Sequence, residues 1–243
     1  MGACLAISNA LTLHPMAKEK TPPPAESSTP IKVENWRDLW GRFLENRYVS
    51  IGTTVVLIAI FLWIGMRFYL SAQNEEALRE MRYAEEYFRQ DSFEKALKGS
   101  VSFMGFEQLA SEYRWTKAGN LCRLYQGLCY LNLGQYEPAI EALESCDIPD
   151  TYLGGAAYGA LAAAYAETKN FVKAAKAYEK AAEIHHNTQT SPMYLLYAGL
   201  AYELASDYKG AARVYRALLN RYPLAAEAPT AQKHLARVET HAP

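Results

Sequence analysis

Between Tyr48 and Met66 the chain runs for nineteen residues without a charge, YVSIGTTVVLIAIFLWIGM, and the pattern on either side is different in kind. As a helix this run spans roughly 28 Å, close to the ~30 Å hydrocarbon thickness of a bilayer. Its few polar positions, Gly, Ser and two Thr, do not form the stripe that a core helix shows. Tyr48 at one end and Trp63, Phe68 and Tyr69 at the other are spaced as interfacial aromatics. Arg67-Phe-Tyr-Leu follows, where a signal peptide would have a small-residue cleavage site. The pattern predicts a transmembrane helix over 48–66. Lys32, Arg37, Arg42 and Arg47 precede it, Arg67, Arg79 and Arg82 follow it, and Lys18 and Lys20 lie further upstream. This slight basic excess predicts a cytoplasmic N-terminus, with the larger C-terminal part across the membrane.

Beyond the span the apolar positions take up helical spacing, and one signature returns at a longer period. A small residue is followed three on by an aromatic, six further by a second aromatic, and three after that by Ala. The copies are Ala84, Tyr87, Phe93, Ala96; then Gly127, Tyr130, Tyr136, Ala139; then Ala162, Tyr165, Phe171, Ala174; and last Gly199, Tyr202, Tyr208, Ala211. Tight breaks fall before each later second aromatic, as LGQY at 133–136, TKNF at 168–171 and SDY at 206–208. Each copy therefore predicts two antiparallel helices, with the small residues allowing close approach and the aromatics filling the space between neighbouring pairs. Such a hairpin cannot cover its own apolar face, so several must stack. The predicted units are 77–112, 120–150, 155–187 and 192–223, with a capping helix over 225–240 carrying Ala228, Leu235 and Val238. The first copy is about nine residues too long. The extra sequence, around 105–119, is expected to lengthen its second helix and the turn after it.

This pattern resembles the tetratricopeptide repeat, a helix–turn–helix unit of about 34 residues. The resemblance covers residues 74–223 and is clearest in GLCYLNLGQYEPAIEAL and GLAYELASDYKGAARVYRALLNRYP; the consensus Trp is missing from every copy. It implies an all-α fold: a single N-terminal transmembrane helix, then an α-solenoid of about four tetratricopeptide repeats with a C-terminal capping helix. The layout also resembles a narrower group, the bacterial membrane-anchored proteins of the YfgM type, ancillary subunits of the SecYEG translocon. The segments YFRQDSFEKALKGS and GFEQLASEYRWTKAGNLCRLYQGLCYLNLGQYEPAI carry that likeness. It implies a non-enzymatic interaction scaffold of the bacterial inner membrane, with a cytoplasmic N-terminus and a periplasmic repeat domain assisting export or folding. Its partners would be translocon subunits or exported client polypeptides, besides the lipid around the span. The alternatives on the same fold are an envelope-assembly or cell-division scaffold, or a regulatory subunit holding a membrane-linked signalling component.

In the repeat family the ligand groove is lined by the first helix of each pair. This implies a peptide-binding groove of Leu121, Leu124, Leu128 and Leu131 in the second copy and Met193, Leu196 and Leu200 in the fourth. In the third copy the corresponding residues are Ala156, Gly159, Ala163 and Ala166, and twelve of residues 155–183 are Ala, so the middle is expected to be shallow. The Lys and Asn with which some family members clamp a terminal carboxylate are absent here. If the facing is displaced by one residue, these leucines are core instead.

Composition adds limits. With 25 Lys+Arg against 26 Asp+Glu and a net charge of −1, no basic excess points to nucleic acid. Residues 1–47 form a tail in which Pro22, Pro23, Pro24 and Pro30 with Ser27 and Ser28 predict disorder. Trp36, Leu39, Trp40, Phe43 and Leu44 mark a short amphipathic stretch at the headgroup surface. Met16-Ala-Lys-Glu-Lys reads as a natural start, so no function is assigned to residues 1–15. No phosphate-binding, dinucleotide, nucleophile-elbow or metalloprotease motif occurs, so no catalytic site, cofactor, metal or small-molecule substrate is expected. His185-His186, adjacent on a helix, point about 100° apart and read as a solvated helix end. Cys122 and Cys146 fall at similar heights on antiparallel helices, which leaves two readings open: a disulfide, or inert buried thiols with Cys129.

Overall fold

The computed structural model describes residues 47–147, 152–184 and 186–241, so the predicted tail, its amphipathic stretch and His185 lie outside the described residues. The chain divides into two units, Met1–Leu57 and Ile58–Pro243. The first helix, α1, runs from Arg47 to Arg89. Its large apolar side chains from Ile51 to Met66 are 42–76 % exposed, and it is long and apolar enough to cross a membrane. Its last turns bury Ala77, Met81 and Ala84. There follow α2 (Phe93–Lys98), β1 (Gly99–Ser100), β2 (Phe103–Met104), α3 (Phe106–Glu112), α4 (Lys117–Asn132), α5 (Tyr136–Glu144), α6 (Tyr152–Glu167), α7 (Phe171–Ile184), α8 (Ser191–Leu204), α9 (Tyr208–Arg221) and α10 (Ala228–Glu239).

The four signatures close four helical hairpins with one shared turn. Asp91, Gly134, Lys169 and Ser206 each adopt a left-handed backbone, with φ of 55°, 72°, 61° and 60°. Each lies two residues before the second aromatic, which opens the next helix. The following N–H, of Ser92, Gln135, Asn170 or Asp207, donates to the carbonyl of the signature Tyr at 2.8–2.9 Å. The left-handed residue's own N–H donates to the carbonyl one residue after that Tyr, at 2.9–3.1 Å. This pair of bonds is the Schellman closure, which satisfies carbonyls that a helix end would otherwise leave open. Asp207 also caps α9 with its side chain, accepting from the Gly210 N–H at 2.9 Å.

All eight small positions of the signature are buried. A Cβ on Gly127 would lie 2.4 Å from Leu143 Cγ, and one on Gly199 would lie 2.2 Å from the Tyr215 ring. In the second and fourth copies the residue four beyond the signature Ala, Leu143 or Tyr215, therefore packs directly on the small residue of the facing helix. Two cores result. One joins the end of α1, the first copy and α4 through Ala84, Leu97, Phe106, Leu109, Cys122 and Cys129. The other runs from Leu124 and Leu143 through Leu161, Leu195 and Tyr215 to Val238 on α10. They meet across α4, whose opposite faces serve one each.

The first copy departs from the expectation that its extra residues lengthen the second helix. That helix stops after six residues at Gly99, which has φ 78° and approaches Gly105 so closely that a Cβ would lie 2.4 Å from the Gly105 nitrogen. The chain turns through the antiparallel β1–β2 hairpin, pairing Gly99 with Met104, before α3 begins. The reason is packing. The hairpin delivers Phe103 onto Tyr87, stacked at 4.9 Å, and Phe106 onto Tyr125 at the same distance. A continuous helix could not supply both contacts.

Candidate peptide-binding face and the joints behind it

The first helices of the second and fourth copies place most of the expected groove residues half-exposed. Leu121, Leu128 and Leu131 of α4 and Met193, Leu196 and Leu200 of α8 are all partly buried. Leu121, Leu128, Leu131 and Leu196 rest on the larger core with one side of each left open. Leu124 does not join them. It is 2 % exposed and belongs to that core, because α6 packs against α4 as well as α5 and closes over the middle of the leucine stripe. Leu121, Leu128 and Leu131 remain partly open on this face, and Leu124 does not.

In the third copy Ala156 is exposed, Ala163 and Ala166 are half-buried, and Gly159 is buried. The space beside Gly159 is taken by Tyr194 of α8, whose ring carbon would be 2.6 Å from an added Cβ. Tyr194 belongs with Tyr178 and Tyr197 to an aromatic group, with centroids 6.4 and 5.6 Å from the Tyr178 ring. Sequence reasoning missed Tyr194 and Tyr197 because they fall outside the repeat signature, whereas Tyr178 stands four residues beyond its Ala174. At the far end Leu200, Leu204, Tyr208 and Val238 line a cavity of about 440 Å³ bordered by Glu203 and Arg237.

Behind this face the signature tyrosines do more than fill space. Tyr130 donates to Glu107 of α3, Tyr165 to Glu144 of α5, and Tyr202 to Glu179 of α7, the last at 2.6 Å. The last two bonds tie a first helix to the second helix of the preceding pair, and the first ties α4 to α3, the helix that follows the first copy's hairpin. Burial, reinforced by the neighbouring carboxylate, pushes the Tyr165 and Tyr202 hydroxyls up to about 12. Burial alone would raise Glu179, but bonds from Arg213, at 2.7 and 2.8 Å, and from Tyr202 hold it below the usual carboxylate range. At the C-terminal end Glu203 plays the same part, accepting from Tyr215 at 2.6 Å, contacting His234 Nδ1 at 2.8 Å and pairing with Arg237. Among the described residues Tyr87 of the first copy has no such carboxylate partner; its ring stacks on Phe103. A signal for the joints was present, since a Glu stands 23, 21 and 23 residues before the three tyrosines.

Among the described residues no three His, Cys, Asp or Glu side chains gather as a metal site would require. Cys122, Cys129 and Cys146 are free thiols. The disulfide that similar helix height left open does not form, because Cys122 faces the N-terminal core while Cys146 packs on the other. Burial raises Cys122 and Cys129 to about 12 and Cys146 to about 11, and the Cys146 thiol lies 3.3 Å from the Asn120 carbonyl.

The tetratricopeptide-repeat family profile matches residues 122–146 and 194–225, which are α4–α5 and α8–α9. The chain thus carries tetratricopeptide repeats, modules that bind other proteins. No curated protein matches the chain.

Proposed function

We propose that this protein is a membrane-anchored scaffold that presents its repeat domain to other polypeptides. The 48–66 stretch is its single anchor in the bacterial inner membrane, with the N-terminus cytoplasmic and residues 67–243 in the periplasm. There the repeats assist exported proteins at the SecYEG translocon. The observation that carries the reading is the half-buried leucine face of α4 and α8, which lies in the same polypeptide as an exposed apolar run of bilayer length. The leucine face suits an extended apolar peptide or an amphipathic partner helix. A chain held at the membrane by one span would meet such segments as they emerge.

Two measurements test this. Alkaline phosphatase fused after Pro243 is expected to be active in a bacterial host, and a cytosolic reporter at the same point silent; the opposite result overturns the topology. Purification of the full chain in mild detergent is expected to recover the translocon channel. The double substitution Leu128→Glu with Leu196→Glu is expected to lose it while far-UV circular dichroism stays unchanged. Recovery of a signalling kinase or of division proteins in place of the channel would refute the translocon assignment.

A further inference from the structure

The turn between α3 and α4 folds back onto the part of α1 that directly follows its apolar run. Arg67, Leu70, Ser71 and Asn74 of α1 share one open cleft with Trp115, Thr116 and Lys117. Asn74 Oδ1 accepts the Ala118 N–H at 2.9 Å and pins the turn there. Thr116 locks it from within: its hydroxyl donates to the Tyr113 carbonyl at 2.8 Å and accepts from the Gly119 N–H at 2.9 Å. Thr116 is 6 % exposed, yet its neighbour Trp115 is 75 % exposed. The Arg114 guanidinium lies 5.2 Å from the Trp115 ring. A rigid turn thus holds a bare indole among three basic side chains.

Height along α1 says what this group faces. From Arg67 to Asn74 the helix rises about 10 Å, beginning one residue after the apolar run ends. The headgroup zone on each side of the hydrocarbon is about 5–7 Å deep. Trp115 shares its cleft with the Arg67–Asn74 stretch, which begins at that zone, and Phe68 and Tyr69 on the same stretch are exposed. Indole rings partition to this layer, and Lys and Arg are drawn to anionic phosphates there.

We propose that Trp115, with Arg67, Arg114 and Lys117, is a second membrane contact, which lays the α3–α4 turn on the anionic phospholipid headgroups of the bilayer that α1 crosses. The indole enters the interface, and the three cations pair with lipid phosphates. The first repeat is held at the membrane surface, while the leucine face of α8 stands further along the chain. This rests on the reading of 48–66 as a membrane span.

The test uses the full chain with Trp36→Phe, Trp40→Phe and Trp63→Phe, which leaves Trp115 as its sole tryptophan. The protein is reconstituted into vesicles of phosphatidylcholine with one quarter phosphatidylglycerol. Phospholipid brominated near the top of its acyl chains is expected to quench at least half of the Trp115 emission, and acrylamide access is expected to be low. Lys117→Glu with Arg114→Glu, or vesicles of phosphatidylcholine alone, should weaken the lipid quenching by at least about fivefold, the partitioning that a single basic side chain contributes at an anionic surface. Flotation and resistance to alkaline extraction read the span independently. A chain that floats but whose Trp115 stays open to acrylamide and unquenched by lipid overturns the second contact alone. Equal quenching in neutral vesicles overturns the role given to the three cations. A chain that neither floats nor resists extraction overturns the span, and the contact with it.

Discussion

Lys169 and Ser206 hold a left-handed backbone, with φ of 61° and 60°, where an L-residue pays with Cβ crowding of about 1–2 kcal/mol. Both are exposed, and the two hydrogen bonds that close each turn come from backbone N–H groups that any residue except Pro retains. Glycine at either position relieves the crowding but adds about 0.5–1 kcal/mol of unfolded-state entropy. Lys169→Gly and Ser206→Gly are therefore each expected to stabilise by about 0.5–1 kcal/mol. Gly134 provides the reverse experiment. It occupies the equivalent place with φ 72°, and a Cβ there would meet nothing within 4 Å, so Gly134→Ala isolates the backbone effect. Its expected loss is about 1 kcal/mol, and Gly134→Asn, which tolerates this conformation better, should lose less. For a domain of this size 1 kcal/mol corresponds to about 2–4 °C in Tm. The assay is thermal unfolding of the full chain in one detergent, followed by circular dichroism. Stacked repeats can open separately, so amide exchange at Gln135, Asn170 and Asp207 is measured alongside. If Gly134→Ala leaves Tm and exchange unchanged, or Lys169→Gly lowers them, the strain argument fails.

Gly199→Ala should destabilise by about 1–2 kcal/mol after its gain in helix propensity, and more than Gly127→Ala, because the fully buried Tyr215 ring yields less readily than the Leu143 side chain; paired urea titrations decide the order. Glu179 is lowered in the folded chain, so the stability it contributes is fully present above its unfolded pKa of about 4.3 and is lost as pH falls through the folded value. Glu179→Gln should accordingly lower Tm at pH 7 and flatten the acid limb of Tm against pH, and an unchanged acid limb would exclude Glu179 as a source of it. With burial holding Cys122, Cys129 and Cys146 protonated, iodoacetamide at pH 8 should modify half-buried Cys146 before Cys122 and Cys129, read by peptide mass spectrometry; equal rates at these three would contradict the burial described.

Much of the architecture was legible from residue types alone. The small and aromatic positions of each signature specify where two helices must touch, and the close approaches at Gly127 and Gly199 occur where the spacing put them. The turns were legible as breaks, though only Gly134 is the residue such a turn favours; Asp91, Lys169 and Ser206 take up the conformation without it. Less of the candidate face could be read. Leu121, Leu124 and Leu128 fall on one stripe by helical spacing, but whether a stripe residue is bare depends on how far the next hairpin leans across it. Nothing in α4 encodes that.

The chain's own sequence determined the helical hairpins, their turns, the order in which they stack and the uncharged stretch at 48–66, because spacing and polarity are local properties. Only tertiary structure decided the remainder. It buried Leu124 beneath α6, put Cys122 and Cys146 on opposite cores, and broke the first copy's second helix so that Phe103 and Phe106 could reach Tyr87 and Tyr125. It also drew Glu107, Glu144 and Glu179 onto tyrosines more than twenty residues away. In each case the physical reason is the same: a side chain's partner is set by the crossing of helices that are distant in sequence, and that crossing exists only once the stack has formed.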